Sequence, residues 1–429
     1  MKILNQKKMK KLTTLLIFSL AIQSYAIDRF VDPNLSSGNG TTLFTNITSA
    51  VAAAVNGDRI IVSSNTYNEA TLTISKSLKF IPQTAGTTIN FNANIIIAGF
   101  PGMKLEITGF NIGVYSFGST FTGDITNKAK ISIINCNSTN LDFNQSGIEL
   151  NSISNTIVNQ VTFKNGSIVL NTVGTIYIAD SVANSPLTDD KNLVVANTIN
   201  TLLYVFNNDN KLIIANNNIS GAFLMKRWNA NSSIRNRIFN NNFNNIKLLV
   251  SAGSVPNYNL IFTNNTGTFN FYVNLDNSNS FDDQHLDYNS QGAEDIILNN
   301  NYYYPMCGCV LGSNSSQIRF PNKDISGIFE WSYNGISNLQ TQPSGTQPLS
   351  FTNIAGTTNI VDAGNPNHDY YDIDLTINDR GVNGGPFSQL NYNAANPNNS
   401  KAFIFDLDMP TDLFPGQNVN ITAKGYHKN

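Results

Sequence analysis

Between residues 131 and 299 one short pattern recurs: a few aliphatic residues, then asparagine or a turn. The runs 131–135, 157–163, 175–178, 193–195, 212–216, 234–239, 260–264 and 296–299 are spaced by roughly 18 to 26 residues, with one longer gap near residue 280. No single run can bury its apolar face, so coils of this period must stack on one another. Asn135, Asn216, Asn240, Asn264 and Asn299 close five of the runs. Stacked in register about 4.8 Å apart, their amides would bond along the axis as a ladder. Ile, Val, Leu and Phe are expected inside, Asn, Ser and Thr outside. This register points Ile213 inward and Asn241 outward. An antiparallel sandwich or propeller would show hairpin dipeptides between closely spaced strands, and few of these gaps do. The expected fold class is all-β: a right-handed parallel β-helix (solenoid) with a short N-terminal capping helix and a small C-terminal β flap.

Composition agrees. The chain of 429 residues holds 69 asparagines, poor helix formers and good turn formers. Charged residues are 13% and the net charge is −2, so no basic field exists to hold nucleic acid. Lys2, Lys7, Lys8, Lys10 and Lys11 precede an apolar run at 12–22, and Ser24-Tyr25-Ala26 is a small-x-small cleavage pattern. Residues 1–26 therefore read as a signal peptide, with Ile27 the expected mature start and a secreted location, extracellular or in the cell envelope. The run is too short to span a bilayer, so no transmembrane segment is expected. Cys136, Cys307 and Cys309 are too few for a disulfide framework and complete no zinc motif. They read as structural or incidental thiols.

Residues 27–75 form the expected cap. The segment 47–55 is an Ala-rich helix with Ile47, Val51 and Val55 on one stripe, Thr45, Asn46 or Thr48 as cap, and Asn56-Gly57-Asp58 as stop. With the following Arg59-Ile60-Ile61-Val62 and Thr66-Tyr67, this stretch resembles the N-terminal cap of secreted pectate-lyase-like β-helix proteins. The resemblance implies a helix plugging the open end of the solenoid. The β-helix is expected over 76–390. Near its end, Val361-Asp362-Ala363-Gly364 and Ile377-Asn378-Asp379-Arg380-Gly381 through Gly384-Gly385-Pro386 resemble the closing segment of bacterial right-handed β-helix repeat proteins. Members of that group differ in activity, so the resemblance implies fold and not function. Residues 391–429 are expected to form a flap of two strands around Pro415-Gly416, covering the last coil.

Four groups are candidates for chemistry. Asp372, Asp374, Asn378 and Asp379 place oxygens at the spacing of a structural Ca²⁺ loop, or of a polar turn closed by its own side chains; the chain otherwise calls for no cofactor. Asp282, Asp283, His285 and Asp287 are the densest acidic cluster, suited to acid/base work or to a solvated loop. Lys226 and Arg227 beside Trp228 suit an acidic sugar, or an exposed turn with a partly buried Trp; polysaccharide lyases of the resembling family use a Lys or Arg base with Asp-bound Ca²⁺, but no Asp cluster on a second strand aligns with this pair. Tyr302, Tyr303, Tyr304 and Trp331 suit a sugar-stacking platform or a cover for the coil beneath. Two functions stay open: a non-catalytic protein that binds polysaccharide or a surface, as a cell-envelope or adhesin-like element, and a polysaccharide lyase or glycoside hydrolase on the same scaffold. Neither substrate nor oligomeric state is legible.

Overall fold

The computed structural model describes residues 26–112, 117–120, 126–179, 191–208, 211–228, 236–251, 257–267, 270–276, 296–299, 316–319, 326–332, 339–342, 350–354, 361–372, 375–388, 403–408 and 422–426. Its strands stack into a parallel β-helix. A first sheet of 14 parallel strands runs from Leu43–Phe44 through Asp28–Val31 and Arg59–Val62 to Ser350–Ile354. A second sheet of 15 strands runs alongside it. Successive coils from Cys136 onward measure 19, 16, 26, 20, 24 and 24 residues. Among the described residues no helix is long and apolar enough to cross a membrane.

The chain passes from the first sheet to the second by one repeated device. Asn135, Ser154, Leu170, Ala196, Asn216, Asn240 and Asn264 all sit at the same bend with φ between 50° and 59°. Asn tolerates this left-handed conformation best among residues with a Cβ, which explains its recurrence there. The next residue then points inward. Cys136, Asn155, Asn171, Asn197, Asn217, Asn241 and Asn265 are all at most 2% exposed and form the ladder. The Asn217 N–H donates to Asn241 Oδ1 at 3.0 Å, and Asn241 Nδ2 donates to Ile214 O at 3.0 Å and Asn265 Oδ1 at 3.1 Å. The same bonds repeat coil after coil. Every inward amide thereby satisfies backbone groups that the bend removes from the sheet ladders.

Three expectations are corrected. The continuous ladder lies one residue beyond the predicted one, because the left-handed residue turns its side chain outward; of the predicted residues, Asn264 Nδ2 does donate to Asn240 Oδ1 at 3.3 Å. Asn241 is accordingly buried rather than exposed. In the strand Lys211–Ala215, Leu212 and Ile214 enter the solenoid core, while Ile213 belongs to a separate cluster on the outer flank. Alternation along a strand means that a one-residue slip reverses every side chain. Finally, Ile296–Asn299 is no further coil: it pairs antiparallel with Asn270–Asp276. The first sheet continues through Ser326–Ser332, 69 residues after its register partner in Asn257–Thr263 (Leu260 to Phe329).

The helix Ile47–Ala53 forms where expected and buries Ile47, Ala50 and Val51 in the solenoid core. Asn46 is the cap, accepting the Ser49 N–H at 2.8 Å. Glu69 accepts the Ile47 and Thr48 N–H groups at 2.7 and 2.8 Å, and Lys76 donates to Val51 O and Ala52 O. A carboxylate at the N-terminus and an ammonium at the C-terminus both suit the helix dipole. Val55 leaves the stripe, 43% exposed, because Ala54 is already extended. At the other end of the chain, Phe403–Asp408 and Thr422–Tyr426 pair antiparallel in a sheet of their own.

Candidate functional site

The outward face of the second sheet carries the side chains of Thr162, Tyr177, Tyr204 and Leu224 in register on adjacent strands, and the same backbone register continues through Lys247 and Tyr272. Their strand neighbours Val161, Phe163, Ile176, Ile178, Leu203 and Val205 fill the core, so alternation fixes the outward direction of the first three. The half-buried Tyr177 ring meets the Tyr204 ring edge-on, with centroids 4.8 Å apart. That contact adds about 0.5–1.5 kcal/mol to area burial and holds the Tyr177 ring in place. Gln160 Nε2 donates to Thr162 Oγ1 at 2.5 Å on the adjacent coil. Tyr204 and Thr162 are themselves buried, so the half-buried Tyr177 ring is the part of this row that can meet the C–H face of a sugar, with the Gln160 amide on the neighbouring strand to bond its hydroxyls.

Lys226, Arg227 and Trp228 end the strand Asn218–Trp228 of this sheet, Lys226 in register with Phe206 and Trp228 with Asn208. Trp331 lies on the first sheet, in register with Phe262 and Asn353. The two tryptophans expected to bind are thus on different sheets. Asp282, Asp283, His285, Asp287, Tyr302, Tyr303, Tyr304, Asp374, Cys307 and Cys309 lie outside the described residues. The tyrosine row was not anticipated; the Ile-Tyr-Ile and Leu-Tyr-Val alternation at 176–178 and 203–205 was its available signal.

Residues 361–372 and 375–388 lie along the outer flank of the first sheet as a strap. Ile134, Ile153, Val169, Leu193, Val195, Ile213, Ala215 and Phe239 form a second apolar cluster there, with Tyr370 and Phe387 packed onto it. Phe239 meets the rings of Tyr370 at 5.1 Å and Phe387 at 6.0 Å, and the Arg237 guanidinium stands 4.6 Å over Tyr370. The outward bend residues hold the strap. Asn216 Nδ2 donates to the carbonyls of Val382 and Gly384, and Asn240 Nδ2 to Asn378 Oδ1, Asp379 O and Gly381 O. Asn264 Oδ1 accepts the Asn365 N–H at 2.7 Å. Gly364 and Gly385 permit the close approach: a Cβ on either would stand within 3.3 Å of Asn264 or Asn240 side-chain atoms.

Of the residues considered for calcium, Asp372, Asn378 and Asp379 close turns within the strap. Asp372 accepts the Asp379 and Gly385 N–H groups, Asp379 accepts the Asp362 N–H at 2.8 Å, and Asn378 Nδ2 donates to Tyr370 O. Among the described residues no group of three or more His, Cys, Asp or Glu is placed to hold a metal. Cys136 is a structural thiol: it heads the ladder, its Sγ accepting the Phe110 N–H and its own N–H donating to Asn155 Oδ1. Burial pushes that thiol up to about 12.

Comparison with protein-family models, with curated proteins and with solved structures gave no match.

Proposed function

We propose that the protein is an exported, non-catalytic β-helix, akin to the pectate-lyase-like superfamily, that binds polysaccharide along the outward face of its second sheet. The observation that carries this reading is the half-buried Tyr177 ring, held edge-on by Tyr204 within a row that crosses successive coils. Rungs about 4.8 Å apart repeat along the axis, which suits a ligand that itself repeats. Trp228 and Lys226 extend the same sheet, and the cap order of helix, Gly-Asp turn and first strand supports the superfamily.

Affinity electrophoresis in gels containing neutral or acidic polysaccharide tests the reading. Retardation by one of them, reduced by Tyr177→Ala and by Trp228→Ala, is expected. Mobility unchanged across the panel would sink it. The same incubations, followed by ultraviolet absorbance for unsaturated ends and by reducing sugar, would reveal a lyase or hydrolase instead.

A further inference from the structure

Asp58 is the one fully buried carboxylate among the described residues, and its partners converge from three directions. Oδ2 accepts Arg29 Nε at 2.6 Å and the Val55 N–H at 2.9 Å. Oδ1 accepts the nitrogen of Ile27 at 2.9 Å. The backbone of Asp58 is also tied, its N–H to Val55 O and its carbonyl to the Lys79 N–H. The side chain of Asp58 thus joins the exit of the capping helix to the first strand, and its backbone carbonyl ties both to the next coil. Ala26 and Ile27 themselves are exposed, so the bond between them faces solvent.

The predicted cleavage falls at that bond. We propose that cleavage after Ala26 converts the Ile27 nitrogen into an ammonium that pairs with the buried Asp58 carboxylate and locks the cap onto the first coil. The inference rests on the export reading above. Water adds across the Ala26–Ile27 amide: the Ala26 carbonyl carbon takes the oxygen and leaves with the leader as a carboxylate, and the Ile27 nitrogen takes protons to become –NH₃⁺. The donor atom is already 2.9 Å from its acceptor, so a hydrogen bond with one charged partner becomes an ion pair with two, without rearrangement.

The other charges nearby are engaged. Arg29 also donates to Thr41 O; Asp28 holds Arg59 through both oxygens; Lys79 pairs with Glu106 on the following coil. Glu69 and Lys76 serve the two ends of the helix, which carries no charge of its own. The new ammonium is therefore left to Asp58. An α-amine that gains an anionic partner titrates above its ordinary range of about 7.7–8.0. Its contribution is complete below that range and disappears as pH rises through the raised value.

The test compares a chain beginning at Ile27 with the same chain acetylated at Ile27, by urea unfolding from pH 6 to pH 11. At pH 6 the free-amine chain is expected to have the higher midpoint, and the difference to vanish by the alkaline end. Nuclear magnetic resonance of the α-amine should show titration above its ordinary range. Asp58→Asn should abolish both effects. Coincident curves for the two chains, or an α-amine titrating at its ordinary value, would overturn the pairing. Sequencing the N-terminus of exported protein tests the processing separately: a start other than Ile27 would overturn that half while leaving the polysaccharide reading to its own assay.

Discussion

Asn240 and Asn241 are neighbours in sequence and point in opposite directions. Asn240, with φ at 55°, reaches out to three partners on the strap; Asn241 reaches in and bonds the coils above and below. Two identical side chains therefore hold different parts of the molecule, and substitutions at each should have separable effects.

Asn241→Ala should be costly. It leaves the buried Asn217 N–H without its acceptor and Ile214 O without its donor. At about 1–3 kcal/mol for each of these two buried unsatisfied groups, a loss of roughly 2–6 kcal/mol is expected in urea unfolding. Asn241→Ser is too short to span the coils and should behave alike. A loss under about 0.5 kcal/mol would show that the ladder carries little.

Asn240→Asp keeps the left-handed backbone accessible but removes the donor and sets a charge against two carbonyls. The strap is expected to loosen while the solenoid stays folded. Among the described residues it joins neither sheet by a strand ladder, and it is closed on itself by Asp372, Asn378 and Arg380. Hydrogen exchange should rise across 361–388 before it rises across the strands Lys211–Ala215 and Asn236–Phe239. Simultaneous loss of protection in both regions would contradict this.

Ile213 and Ile214 give a matching pair. Ile214→Ala removes solenoid core and should cost about 2–5 kcal/mol. Ile213→Asp places a charge beneath the strap instead, and should increase proteolysis within 361–388 while far-ultraviolet circular dichroism is retained. Collapse of the whole fold by Ile213→Asp would mean that strap and solenoid are one cooperative unit.

Cys136, its thiol raised to about 12 by burial, should react with a thiol reagent at pH 8 only as fast as the coil around it opens. Labelling that tracks increasing urea is the expected outcome. Fast labelling in native buffer, in a chain carrying Cys307→Ser and Cys309→Ser so that only Cys136 can react, would place that thiol outside the core.

Asp58 predicts the acid limb. Burial alone would raise its pKa, but the Val55 and Ile27 N–H groups and the Arg29 guanidinium outweigh that and hold it below the ordinary carboxylate range. A depressed folded value gives stability that is present above the unfolded pKa of about 3.9 and is lost as pH falls through the folded value. In Asp58→Asn the decline in stability below about pH 4 should be shallower than in the wild type, as read by urea midpoints. Parallel declines would assign acid unfolding to other carboxylates.

The sequence by itself determined the parallel solenoid, the capping helix and several strands of the first sheet, such as Lys191–Val195 and Lys211–Ala215, but not the long second-sheet strands Thr198–Asn208, Asn218–Trp228 and Asn242–Ser251. Short aliphatic runs recurring at one spacing have no way to leave water except by stacking, and that requirement is written in each run alone. Which of two adjacent asparagines faces the core was decided only at the bend. The parity of a strand depends on one left-handed residue that composition does not distinguish from its neighbour. The outer flank was decided still further away, by a strap whose Val382 meets Asn216 across 166 residues of chain. Residues such as Ile213 and Val195 look like solenoid core in any local window. Their actual environment exists only after the chain has wound its coils and returned along the side, because apolar periodicity records that a face is buried and not what buries it.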